Sequence, residues 1–179
     1  ISCYQSLSSI NDIIDLNSYK SNNKEFNKLI DLQFREITIE KSISDKITKI
    51  GEIADSISKE VKNQYESNPY PRWRYNTYAK EKKINFLSVI NSEIYPNTIQ
   101  SNESILTNKK IDILIAGCGT GIQILEASRY RNCEITAIDL SNSSLSYAKR
   151  KVDEYGMKNI NFIEMDLLDL AQINKKFDL

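Results

Sequence analysis

The sequence predicts an α/β fold in which a parallel sheet follows a helical extension. Three observations predict it. Short apolar runs over 111–116, 134–139 and 160–165 alternate with helix-patterned stretches over 121–131 and 142–155, the order expected of parallel strands joined by helical crossovers. The first run is almost continuously apolar, as in a strand covered on both faces. A turn carrying Gly117, Gly119 and Gly121 joins that run to the next helix, and alternate glycines there permit a tight reversal and a close approach to a ligand. Phe177-Asp178-Leu179 reads as the start of a fourth strand.

Residues 1–24 are rich in Ser and Asn, with Leu7, Ile10, Ile13, Ile14 and Leu16 placed for a short helix. Further on, Ile43, Ile47, Ile50, Ala54, Ile57 and Val61 fall on one helical face. Ser42 and Asp45 would cap this helix at its start, and Asn68-Pro69 would end it, because the residue before a proline is pushed out of the α region. The prolines of Asn68-Pro69-Tyr70-Pro71-Arg72-Trp73 then impose an extended or turned strip. A second helix is expected over 77–94, with Ile84, Leu87, Ile90 or Asn91 and Ile94 facing inward, before a loop from Pro96 to Lys110. In the last helix Ser141 suits the N-cap, Gly156 suits the position after the final turn, and Leu145, Ala148, Val152 and Tyr155 form a buried stripe.

Basic and acidic side chains balance at 24 each, so no global field draws the chain to nucleic acid or to an anionic membrane. That balance weighs against a nucleic-acid patch built from Arg72, Arg74, Lys80, Lys82 and Lys83 with Tyr75 and Tyr78. No apolar run reaches the roughly 18 to 20 residues of a membrane span, and no basic-then-apolar leader is visible at the N-terminus. A cytoplasmic location is the expectation. Cys3, Cys118 and Cys133 show neither metal-ligand nor disulfide spacing and read as reduced thiols. The chain has no His, which removes Ser–His and Cys–His nucleophile pairs and most zinc sites, so no metal is expected.

Asp139 closes the second strand at the offset from the glycine turn where an acid meets the hydroxyls of a nucleoside ribose. A plain acid near the next helix's N-terminus is the other reading of that position. Asp166 ends the third strand and could accept from an exocyclic amine, or could be an ordinary loop acid. Tyr65, Asn68, Tyr70, Arg72 and Trp73 either form a lid or acceptor site over the pocket or simply pack the extension onto the sheet.

Three motifs, Ile115-Ala116-Gly117-Cys118-Gly119-Thr120-Gly121, Ala137-Ile138-Asp139-Leu140-Ser141 and Glu164-Met165-Asp166-Leu167, resemble the successive motifs of class I S-adenosylmethionine-dependent methyltransferases. A dinucleotide dehydrogenase would show G-x-G-x-x-G, whereas Gly121 is followed here by Ile122, which argues against NAD. Upstream, residues 61–73 resemble the segment ahead of the methyltransferase domain in bacterial proteins that join tetratricopeptide repeats to such a domain, and Gln33-Phe34-Arg35-Glu36 is similar to that subgroup's linker.

The resemblance implies a Rossmann-like fold, the N-terminal half of a seven-stranded sheet, with S-adenosylmethionine as cofactor. It implies cofactor contacts from Ala116, Gly117, Cys118, Gly119, Thr120, Gly121, Asp139, Leu140, Ser141, Asp166 and Leu167, with the methionine part over the glycine loop, the ribose at Asp139 and the adenine near Asp166. It leaves the methyl acceptor unidentified, assigns no catalytic residue, and puts tetratricopeptide repeats elsewhere in the parent chain. On this reading residues 1–66 are a helical extension, 67–108 a Pro/aromatic segment and helix, and 109–179 a truncated cofactor-binding half-domain. The chain is expected to be part of a longer protein, to leave its first strand as an unpaired edge, and by itself to bind cofactor poorly and not to catalyse. A non-catalytic nucleoside-binding scaffold is the alternative, and an NAD-dependent oxidoreductase the more distant one.

Overall fold

The computed structural model describes residue 16 and residues 18–76, 83–100 and 110–179. The chain forms two compact units, Ile1–Lys46 and Ile47–Leu179. The division falls well ahead of residue 66, where the helical extension was expected to end.

In the first unit, α1 (Lys24–Ile30) and α2 (Glu36–Ser44) are joined by a π-helical turn, Asp31–Arg35. Asn23 starts α1, its side chain accepting from the Glu25 and Phe26 N–H groups and so satisfying donors that the first turn leaves without partners. Arg35 pairs with Asp31 at 2.6 Å and also donates to the carbonyls of Leu16 and Tyr19, fastening the preceding chain to the helix. The helix expected around Leu7, Ile10, Ile13 and Ile14 lies outside the described residues, and Leu16 sits in a turn.

The single helix expected over 43–61 is a correction. Helix α2 stops at Ser44, a short strand β1 (Thr48–Lys49) follows, and α3 (Ser56–Ser67) begins afresh. Gly51 adopts φ +73°, a left-handed conformation that no helix continues through, and the Asp55 side chain caps α3 by accepting from the Ser58 N–H. The apolar repeat therefore spans a break: Ile47 packs against the core while Ile57 stands 69% exposed. Ser42 and Asp45 end a helix instead of opening one, with the Ser42 hydroxyl donating to the Ile39 carbonyl. Asn68 does terminate α3 ahead of Pro69, at φ −149°.

The second predicted helix is also shorter. Helix α4 (Phe86–Glu93) is capped by Asn85, which accepts from the Leu87 N–H, while residues 77–82 and 101–109 lie outside the description. Ile84 is not helical: it forms a parallel bridge with Tyr130, its N–H donating to Arg129 and its carbonyl accepting from Arg131. Those bonds take the backbone groups just past α5 (Ile122–Ala127), so that helix stops short of residue 131.

Strands β2 (Ile111–Ala116), β3 (Cys133–Asp139) and β4 (Ile160–Glu164) form with β1 an all-parallel sheet of order β1-β4-β3-β2. Helices α5 and α6 (Asn142–Glu154) make the crossovers, giving a Rossmann-like α/β fold. Ile111, Ile113, Ile135, Ala137 and Phe162 of the strands pack with Ile124, Leu145, Ala148 and Val152 of the helices in one core. Helix α6 follows the sequence pattern: the Ser141 side chain accepts from the Ser144 N–H, and Gly156 adopts φ +66°.

The free edge expected on β2 is a second correction. The Asp178 N–H donates to the Asp112 carbonyl and the Leu114 N–H to the Leu179 carbonyl, both at 2.8 Å. Exposed ladder groups of β2 thus find partners in the last residues of the chain. Register sets Ala116 opposite Ile138 and Asp139 opposite Glu164, which brings the carboxyl ends of three strands to one rim.

Gly121 adopts φ +90°, and a Cβ added there would lie 2.8 Å from the Ala148 Cβ of α6. Gly121→Ala is expected to cost about 3 kcal/mol, combining left-handed strain with overpacking. A chemical-denaturation midpoint unchanged from wild type would contradict this close contact.

Candidate functional site

The glycine turn is shaped by bonds from the neighbouring strand. The Gly117 and Cys118 N–H groups both donate to the Ile138 carbonyl at 2.9 Å, and the Gly121 N–H donates to the Cys118 carbonyl. Between them the Gly119 N–H donates to Asp139 Oδ2 at 2.8 Å. The other carboxylate oxygen, Oδ1, accepts from the Ser141 N–H at 2.9 Å. Asp139 thus joins the turn after β2 to the turn before α6. With the Leu140 N–H also bonded to this carboxylate, its two oxygens keep one lone-pair site for an outside donor.

A cavity of about 380 Å³ opens over this arrangement. Gly117, Cys118, Gly119 and Thr120 line it with Asp139, and so do Tyr65, Tyr70 and Pro71. Ile122, Gln123 and Ser144 complete it. A Cβ added at Gly117 or Gly119 would meet nothing within 4 Å, whereas Gly121 is closed off by Ala148. Two of the three glycines therefore leave open space and the third serves packing. Among the described residues no Lys or Arg lines the cavity, and Asp139 is the one carboxylate there.

Among the residues predicted for the site, Gly117, Cys118, Gly119, Thr120, Asp139, Tyr65 and Tyr70 come together here. Ala116, Gly121, Leu140, Ser141, Asp166, Leu167, Asn68, Arg72 and Trp73 are not in its lining. Ser141 is fully buried as the α6 cap. Asp166 is 5% exposed and spends Oδ1 on the Leu168 N–H, capping the 3-10 stretch Leu167–Ile173. The sequence reading missed Ile122, Gln123 and Ser144. A polar Gln on the first turn of the helix, directly after the glycine turn, was the available signal for one of them.

The Pro/aromatic segment divides between its two predicted roles. Tyr65 and Tyr70 face the cavity, whereas Trp73 and Arg72 pack. The Trp73 indole N–H donates to the Thr120 carbonyl at 2.9 Å, and the Thr120 hydroxyl donates to the Pro71 carbonyl at 2.7 Å. Trp73 stacks on Tyr155, the Tyr147 hydroxyl donates to the Trp73 carbonyl, and the Arg72 guanidinium lies 4.5 Å from the Tyr147 ring centre. Lys151 donates to the Arg74 carbonyl. Lys83 is spent on the Ser128 carbonyl, so two cations of the supposed nucleic-acid patch, Arg72 and Lys83, serve internal contacts, while Lys80, Lys82 and Tyr78 lie outside the described residues.

Burial pushes the Asp139 carboxyl above its ordinary value and the Glu66 charge adds to this; bonds from the Ser141, Gly119 and Leu140 N–H groups oppose it without cancelling it. Burial, aided by the Asp139 charge, raises the Cys118 thiol well above its usual range, so Cys118 is protonated and no nucleophile. Glu164 ends β4 beside Asp139. Burial favours its neutral form, yet the bonds from Lys62 at 2.5 Å and Asn142 at 2.9 Å, with the charges of Lys62 and Lys49, hold it below the usual carboxylate value. Among the described residues no group of three or more His, Cys, Asp or Glu could hold a metal ion, and no helix is long and apolar enough to cross a membrane.

A glycine turn and an acid at adjoining strand ends of a parallel sheet is the arrangement at which open α/β folds receive nucleosides. Residues 113–179 match the family model described as a methyltransferase domain. Over 107 residues the chain is 32% identical to the malonyl-[acyl-carrier protein] O-methyltransferase of Acetivibrio thermocellus, covering 59% of this chain and 32% of that protein. It is 30% identical over 107 residues to the enzyme of the same description from Priestia megaterium, covering 59% of this chain and 37% of that one. The chain thus spans about a third of the length of these relatives. Among solved structures, PKMT2 from Rickettsia typhi superposes with a TM-score of 0.41 at 22% identity, over 61% of this chain and 19% of that chain.

Because the Asp139 value in the fold lies above that of the unfolded chain, its contribution to stability is present at low pH and is lost as pH rises through the interval between the two. Carbon-detected NMR titration should give Asp139 a higher midpoint than an exposed aspartate. A midpoint at or below the ordinary value would contradict the burial described.

Proposed function

We propose that this chain supplies the S-adenosylmethionine-binding part of a methyltransferase whose acceptor is unidentified. One observation carries the reading: a cavity built on the glycine turn and Asp139 contains a carboxylate and, among the described residues, no basic side chain. Such a cavity favours a ligand that bears hydroxyls and positive charge over one that bears phosphates, which would need cations or free N–H groups of the turn, and the N–H groups of Gly117, Cys118, Gly119 and Gly121 are already bonded within the protein. A dinucleotide fits that charge pattern less well than an adenosyl sulfonium does. The match of residues 113–179 to a methyltransferase domain supports the same ligand.

The residues fit the cofactor in two respects. Asp139 keeps acceptor capacity for a ribose hydroxyl beside its three N–H partners, and the open positions at Gly117 and Gly119 admit a ligand against the backbone. The bound sulfonium supplies a methyl group already activated for transfer. What remains for the protein is to orient and to exclude water, and alignment of that kind is worth roughly 7 to 11 kcal/mol of barrier. Asp139 fixes the nucleoside, the glycine turn fixes its depth, and Tyr65 and Tyr70 line the same cavity. Asp166, occupied as a cap, is left out of this scheme.

Thermal-shift measurements with S-adenosylmethionine, S-adenosylhomocysteine and NAD side by side test the reading, since a ligand that binds only the folded state raises Tm. The two adenosyl ligands are expected to raise Tm and NAD to leave it unchanged. Gly119→Val, which fills the open position, should abolish the rise. A shift with NAD and none with the adenosyl ligands would overturn the proposal.

A further inference from the structure

Glu66, in the last turn of α3, lies outside the cavity lining, yet its Oε2 accepts from the Ser141 hydroxyl at 3.0 Å and from the Ser143 N–H at 3.2 Å. Ser141 has one hydroxyl proton. Giving it to Glu66 turns the hydroxyl lone pairs towards the Ser144 N–H, which Oγ accepts at 3.1 Å. The Ser141 N–H in turn holds Asp139 Oδ1, and Oδ2 holds Gly119. A single run of bonds therefore leads from α3 through the capping turn of α6 to the glycine turn. One turn earlier, Lys62 is anchored on Glu164 at 2.5 Å, so the helix that carries Glu66 is itself fixed on the strand rim.

We infer that Glu66 is a positioning residue for Asp139, and through it for the cofactor cavity; the inference rests on the reading of that cavity given above. Glu66 acts in two ways. Its oxygen orients the Ser141 turn, and its charge, close to the Asp139 carboxylate, makes the rim more negative where a cationic ligand is received. The rise in the Asp139 value that Glu66 contributes is consistent with this proximity. Other groups act on Asp139 from the elements around it. The Cys118 thiol faces it from the glycine turn and is protonated. Glu164 neighbours it on β4, with Lys62 and Lys49 beside that carboxylate, and Tyr65 and Tyr70 share its cavity. Of the two carboxylates that flank it, Glu164 is paired with Lys62 and Lys49, whereas Glu66 meets no cation among the described residues.

Glu66→Gln and Glu66→Ala separate the two roles. Gln keeps an oxygen for both donors and loses only the charge. Ala loses both. In Glu66→Gln, affinity for S-adenosylhomocysteine at neutral pH should stay within about twofold of wild type, because the hydrogen-bond acceptor survives. The acid limb of its pH profile and the NMR titration of Asp139 should move together to lower pH, since a like charge has gone. In Glu66→Ala, affinity at neutral pH should fall about tenfold. A purely structural role would lower Tm in both variants without moving the Asp139 titration. Identical Asp139 titrations in wild type and Glu66→Gln, or wild-type affinity in Glu66→Ala, would overturn the inference. Should wild type fail to bind S-adenosylhomocysteine, the proposed function falls while the ligand-free titration still decides the role of Glu66. Should Glu66→Ala not fold, the Gln variant decides alone.

Discussion

The site depends on the way the Asp139 carboxylate divides its two oxygens. One holds the Gly119 N–H and the other the Ser141 N–H, so a single side chain sets the spacing between the glycine turn and the start of α6. Such charge-assisted bonds are roughly twice as strong as neutral ones. Burial raises the energy of the charged form, and these two N–H groups, with that of Leu140, offset part of that cost. A neutral side chain of the same shape would present an amide N–H₂ to one of these donors and lose its grip there. The fold gives the acid its place through register: Asp139 is the last residue of β3, directly beside Glu164 on β4.

Two carboxylates at one rim would repel if both were bare. The chain keeps them apart chemically by giving each a different set of partners. Asp139 is held by backbone N–H groups and stays accessible from the cavity, whereas Glu164 is neutralised by Lys62 and bonded by Asn142. The first remains available to a ligand and the second serves to dock α3. That docking brings Tyr65 to the cavity wall, one residue from Glu66.

Much of this architecture was legible in the sequence, for identifiable reasons. Strands buried on both faces leave apolar runs, and β2, β3 and β4 fall within a residue of where those runs lie. Ser141 and Gly156 announce the ends of α6 through capping chemistry that acts over a few residues. The break at Gly51 was hidden because Ile43 to Val61 keep a helical spacing across it, and a pairing of β1 with β4 more than a hundred residues later overrides that local pattern. Within the site, Gly117, Gly119 and Asp139 were readable because their chemistry is tied to strand ends. Glu66 was not, since its partners Ser141 and Ser143 are distant in the chain. The separation of Tyr65 and Tyr70 from Trp73 and Arg72 was likewise invisible, because composition cannot tell which side of a strip faces a cavity.

The reciprocal bonds between Thr120 and the Pro71–Trp73 strip have a bearing on how anything enters the cavity. The strip is sewn at its middle to the very loop it covers, and along its length to Tyr147, Lys151 and Tyr155. Swinging it aside like a hinged flap would tear several of these stitches at once. Rotation of the Tyr65 and Tyr70 rings breaks none of them, and these rings are 38% and 72% exposed. Side chains so placed turn over in picoseconds to nanoseconds, far faster than a loop swings open. The Tyr65 and Tyr70 rings that line this cavity can therefore turn while the strip beside them stays bonded.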